Sequence, residues 1–147
     1  MVLGTIGIFI AMISFAVLLE TPKKHLLISA LVGTASGFIY LLSIHLGFGA
    51  VMSSFFSALS AAFISHICAR VFKAPVTLFL LVGILPTVPG GGMYRIAAGV
   101  LDNNPTMVFD SFIEVLEIAG VIALAIFIMD VIFRIKRPEK RKPISEM

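Results

Sequence analysis

The chain has 147 residues, of which 59% are hydrophobic and only 13% charged, with a mean hydropathy of +1.10. A soluble domain of this size carries about 25% charged residues, so the composition describes an integral membrane protein. The net charge of +3 does not mark a nucleic-acid binder, because the basic residues sit in short blocks beside apolar segments, the pattern of membrane orientation.

Residues 2–19 are apolar and uncharged and are closed by Glu20-Thr21-Pro22-Lys23-Lys24-His25. At 1.5 Å per residue the run covers roughly 27 Å, enough to span. A cleaved signal peptide needs basic residues before its apolar core, whereas these lysines follow it, so a retained first helix is expected. The second span covers 26–44, with Ser29, Gly33 and Gly37 at four-residue spacing on one face. Small residues so spaced let helices approach closely in lipid, which makes packing the expected role of Gly33 and Gly37. The third span covers 50–68 and carries the stripe Ser53, Ser57, Ala61 and Ser65. Packing, with each hydroxyl bonded to its own i−4 carbonyl, is the favoured reading, and a hydroxyl-lined substrate face the competing one.

The single cysteine, Cys68, excludes an internal disulfide and any multi-cysteine metal cluster. His25, His45 and His66 have no metal-ligand spacing, so neither a metal nor a cofactor is expected. His66 lies about a turn from Arg70 and reads as an interfacial histidine. Arg70 to Pro75 reads as a short basic connector.

The fourth apolar segment begins at Val76 and meets Pro86 and Pro89, then Gly90, Gly91 and Gly92. Proline lacks an N–H and clashes with the preceding turn. Up to Pro89 the segment makes only about 20 Å of helix, too short for a core of about 30 Å. It therefore reads as two half-helices, 76–85 and about 91–101. The glycines are expected to permit positive φ and a close backbone approach. A half-helix starting near Gly91 presents unbonded N–H groups and a partial positive charge, an anion site, to which Tyr94 could add a hydroxyl and Arg95 a guanidinium. Pro86, Pro89, Gly90, Gly91, Gly92, Tyr94 and Arg95 are the candidate substrate-binding residues. The competing reading is a break that only accommodates a crossing helix.

Asn104 as N-cap and Pro105 at the first helical position start a fifth helix, expected to run to about Phe133. Asp110, Glu114 and Glu117 share one of its faces. A carboxylate as deep as Glu117 costs at least ~2.5 kcal/mol if unpaired in lipid. Glu114 and Glu117 are therefore the candidates for proton coupling or for holding a substrate ammonium, against a static pair with Arg95 or a wet vestibule. Asp130 reads as an i,i+4 partner of Arg134.

The expected fold is thus all-α, with five transmembrane helices over 1–133, the fourth broken at Pro86-Pro89-Gly90, and a basic tail over 134–147. Every Lys and Arg except Arg95 then falls on one side, which is cytoplasmic. The N-terminus is outside and the C-terminus inside the inner membrane, which the chain crosses several times.

Leu85-Pro86-Thr87-Val88-Pro89-Gly90-Gly91-Gly92-Met93-Tyr94 resembles the Pro-x-x-Pro-Gly-x-x-x-Tyr signature of the threonine/serine exporter (ThrE) family. Length and five spans look like that family's small, split C-terminal half. The resemblance implies a separately encoded larger subunit and a small-molecule substrate, threonine or serine, with C4-dicarboxylates such as succinate the alternative. If the companion also brings five spans, this half is inverted relative to it, and substrate sits at the interface beside the broken helix. One copy alone is then expected not to transport. A non-transporting scaffold is the reading from another class, and homo-oligomerisation stays open. No GxSxG, HExxH or phosphate-binding loop is present, so no enzyme is expected.

Overall fold

The computed structural model describes residues 2–135. It is all-helical over those residues: α1 (Val2–Leu18), α2 (Lys23–His45), α3 (Ala50–Phe72), α4 (Val76–Ile84), a 3-10 turn (Leu85–Thr87), α5 (Gly90–Leu101) and α6 (Pro105–Ile135). Of the tail over 134–147, only Arg134 and Ile135 lie within the described residues.

Three helices, α2, α3 and α6, are long and apolar enough to cross a membrane. The pair made by α4 with its 3-10 turn and α5 passes the same test as one span, bent by 53° at the break. α1 is apolar but has 17 residues, about 26 Å of helix.

Proline sets several boundaries. Pro22 and Pro75 stand immediately before α2 and α4, and Pro105 opens α6, positions where a missing N–H costs nothing. Asn104 caps α6 as expected, its Oδ1 accepting from Met107 N–H at 3.1 Å. Two boundaries depart from expectation. α3 continues through Arg70 to Phe72, so the connector shrinks to Lys73–Pro75, with Lys73 left-handed at φ 51. No breaker stands before Pro75, and the helix runs on until one does. α6 likewise extends to Ile135.

α2 sits at the centre, against α1, α3 and α4, while α6 packs on α3 and α5. The buried faces of α2 and α3 are made of Ser29, Ala30, Ser36, Ser53, Ser57, Ala61 and Ser65. Without a hydrophobic drive between helices in lipid, such small side chains gain dispersion contacts by letting backbones close up. The hydroxyls of this seam do not all turn back on their own helix. Ser57 Oγ donates across to Ser36 O at 2.6 Å, whereas Ser29 and Ser65 Oγ and His25 Nδ1 are buried without a partner among the described residues. The i−4 pattern holds for Ser14, Thr34 and Ser43.

Candidate functional site

The break begins with a proline and leaves carbonyls to be satisfied. Pro86 has no N–H for Val82 O, and that oxygen lies 2.9 Å from where a Cβ on Gly33 would stand. Only glycine lets α2 come this close; the same Cβ would also meet Met12 Sδ at 2.8 Å. Ser36 Oγ donates to Gly83 O at 2.5 Å, Thr87 Oγ1 to Ile84 O at 2.6 Å, and Val88 N–H to Leu85 O at 3.2 Å. The carbonyls of Gly83, Ile84 and Leu85 thus each receive a donor, and that of Val82 lies against the α2 backbone at Gly33, shielded by protein as backbone at membrane depth must be. Gly37 stands as close, a Cβ there falling 2.8 Å from Ile8 Cγ2 and 3.2 Å from Pro86 Cβ.

Beyond Pro89 the chain turns directly into α5. Gly90 N–H donates to Val88 O at 2.7 Å, Met93 N–H to Pro89 O at 3.0 Å, and no side chain caps the turn. The first-turn donors of Gly91 and Gly92 have no i−4 carbonyl within the helix. Gly90, Gly91 and Gly92 take helical rather than positive φ; among the described residues only Gly47 is a glycine with positive φ. Their use is close approach. A Cβ on Gly92 would lie 2.6 Å from Val115 Cγ2 of α6, whereas one on Gly90 would meet nothing within 4 Å.

These residues wall a cavity of about 260 Å³. Pro86, Pro89, Gly90, Gly91, Gly92, Arg95 and Glu114, all candidates from the sequence, line it together. Arg95 Nη2 donates to Glu114 Oε2 at 2.5 Å, tying α5 to α6, with the two side chains 43% and 37% exposed. The cavity therefore offers a cation, an anion and the open end of a helix in one small space. Pockets for drug-sized ligands run from about 300 to 1,000 Å³, so this one suits a smaller solute.

Two candidates lie elsewhere. Tyr94 is 74% exposed and points away, and Glu117 is exposed on α6. Asp110 is also exposed. Three polar lining residues were not singled out from sequence as substrate contacts, Tyr40 near the His45 end of α2, Ser54 near the Ala50 end of α3, and Thr87 within the break, and Ala50, Val88 and Ile118 complete the wall. Tyr40 follows Gly33, Ser36 and Gly37 on one face of α2, a spacing that could have pointed to it. Ser53, Ser57 and Ser65 are buried in the seam outside the cavity. No three His, Cys, Asp or Glu among the described residues converge to hold a metal ion.

The model of the family described as Threonine/Serine exporter, ThrE, matches residues 4–132, and the chain belongs to that family. No curated protein and no solved structure matches it.

Proposed function

From that membership we propose that the chain is the small half of a two-component exporter and holds a zwitterionic amino acid, threonine or serine, in the cavity at the break. The observation that carries this reading is the Arg95–Glu114 pair standing beside the uncapped start of α5. The substrate carboxylate lies against the first-turn N–H groups of Gly91 and Gly92 and takes Arg95, as anions do at helix N-termini. Its ammonium takes Glu114. Binding opens one ion pair and forms two, so no charge is left unpaired in a low-dielectric space. Tyr40, Ser54 and Thr87 make part of the wall polar, which suits a hydroxylated side chain.

A dicarboxylate fits less well. Its second carboxylate would face Glu114, and like charges 4 Å apart repel by about 4 kcal/mol at an effective dielectric of 20. Succinate therefore binds less well than the amino acid while Glu114 carries its charge. For the amino acid, protonation of Glu114 releases the ammonium, and that is the route by which a proton gradient is coupled.

The membrane arrangement is five spans, α1 included. α1 is a few ångströms short of the core, a mismatch that local thinning accommodates at modest cost. The end bearing Lys23, Lys24, Arg70, Lys73 and Arg134 is cytoplasmic, which puts the break cavity in the outer half of the inner membrane. Glu117 is exposed in the middle of a lipid-crossing helix, where an unpaired carboxylate costs at least ~2.5 kcal/mol. Its face belongs against the separately encoded companion.

The test is counterflow of labelled threonine, serine and succinate in proteoliposomes, with and without the companion and a pH gradient. Threonine and serine are expected to exchange only when both subunits are present. Equal flux without the companion, or no flux of any solute, contradicts the reading. Normal flux in Glu114→Gln or Arg95→Gln returns the chain to a scaffold role.

A further inference from the structure

At the other end of the bundle, α3, α4 and α6 frame a second cavity of about 320 Å³. Arg70 lies over the Phe133 ring, 4.7 Å from its centroid, and donates from Nη2 to Phe133 O at 3.0 Å. His66 stacks on that ring with centroids 4.6 Å apart, its Nε2 4.0 Å from Asp130 Oδ1. Arg134 gives Nε to Asp130 Oδ2 at 3.0 Å, the expected i,i+4 pair. A guanidinium carries five N–H donors, and among the described residues one nitrogen of each is engaged. Two cations are thus held beside one cavity with most of their donors uncommitted. Against the single Asp130 carboxylate they leave one net positive charge.

We propose that this cleft binds the phosphodiester of an anionic phospholipid. A guanidinium fork matches phosphate oxygens in pairs, and one surplus positive charge matches the single negative charge of a phosphodiester. Basic pockets between membrane helices on the cytoplasmic side take lipid headgroups in this way. The first turn of α4 opens beside the cleft without a side-chain cap, adding oriented N–H groups. Exposed Val71 and Ile135 stand at the same helix ends, where acyl chains would run. A headgroup bearing its own ammonium brings back a cation and loses the charge match. The site is independent of the amino-acid cavity and lies where α4 and α6 flank α3 at the cytoplasmic edge.

Native mass spectrometry of the full chain released from detergent tests this with phosphatidylglycerol, phosphatidylcholine and inorganic phosphate as probes. Phosphatidylglycerol is expected to be retained in preference to phosphatidylcholine. Its affinity falls roughly 30-fold in Arg70→Gln/Arg134→Gln, from the loss of two basic residues near the membrane surface. Lys23→Gln/Lys24→Gln removes the same charge from the same end and is expected to leave retention unchanged. Arg134→Gln alone, at a side chain 80% exposed whose one described ion pair is with Asp130, keeps the helix packing and lowers affinity about fivefold. Inorganic phosphate binding that needs both arginines, with no preference between the lipids, identifies the free ion as the source of the same chemistry. Equal retention of both lipids without phosphate binding, or equal losses in the lysine and arginine variants, overturns the proposal.

Discussion

Adding one methyl group to Gly92 and one to Gly90 separates packing from binding at the break. At Gly92 the new Cβ stands 2.6 Å from Val115 Cγ2, well inside ordinary contact, and 3.9 Å from the α6 backbone at Ser111 O. Valine in a helix has one strongly preferred χ1, so Val115 cannot swing aside and α5 must move off α6. Overpacking of this kind costs about 1–3 kcal/mol, which the roughly 1 kcal/mol gain in helix propensity of alanine over glycine only partly offsets. At Gly90 the Cβ meets nothing within 4 Å, so the same propensity gain leaves stability level or raised by about 0.4–1 kcal/mol. Gly90 nevertheless lines the cavity, where a methyl-sized misfit is worth about 10–200-fold in specificity. Thermal unfolding in detergent and counterflow in proteoliposomes read the two quantities. Gly92→Ala is expected to melt earlier, and Gly90→Ala to melt normally yet transport at least about tenfold less. A Gly90→Ala protein that transports like the parent, or a Gly92→Ala protein as stable as the parent, refutes the reasoning.

The hydroxyl seam gives a contrast in sign. Ser36→Ala strips Gly83 O of its donor and is expected to cost about 1–3 kcal/mol, whereas Ser29→Ala and Ser65→Ala remove buried hydroxyls that have no partner and leave the melting point unchanged or higher. Gly33→Ala drives a methyl to 2.9 Å from Val82 O, a backbone atom that cannot rotate away, and should lower stability by about 1–3 kcal/mol in the same melts. Glu114→Gln is expected to abolish exchange while the subunits still co-purify; Glu117→Gln should instead weaken co-purification with the companion.

Much of this arrangement is legible in residues 76–101, because proline acts locally: a missing N–H at Pro86 and Pro89 breaks a helix whatever surrounds it. A pair between Arg95 and the acidic face of α6 is open from sequence on charge alone, that face and the lone basic residue off the charged end both being visible, though which carboxylate takes part is not. What sequence could not give is how the break is sealed. Gly33 reads as a packing glycine, but that it shields Val82 O, and that Ser36 rather than a neighbour on α4 satisfies Gly83 O, depends on contacts between residues about fifty positions apart. The same limit explains Glu117 and Tyr94. Helical spacing puts Glu117 and Glu114 on one side of α6, yet where α5 crosses decides that Glu114 faces the cavity and Glu117 does not. Rotation about the α5 axis sends Tyr94 outward while its neighbour Arg95 turns in.

The claim that substrate occupies the break is tested most directly by thiol protection in the complete two-subunit complex. Cys68 is the only cysteine, so Cys68→Ser gives a blank background for Val88→Cys, which lines the cavity and is 44% exposed, and for Tyr94→Cys outside it. Saturating threonine or serine is expected to slow maleimide labelling at Val88→Cys and to leave Tyr94→Cys unchanged. Equal labelling rates with and without substrate at Val88→Cys, in a complex that still exchanges threonine, would contradict it.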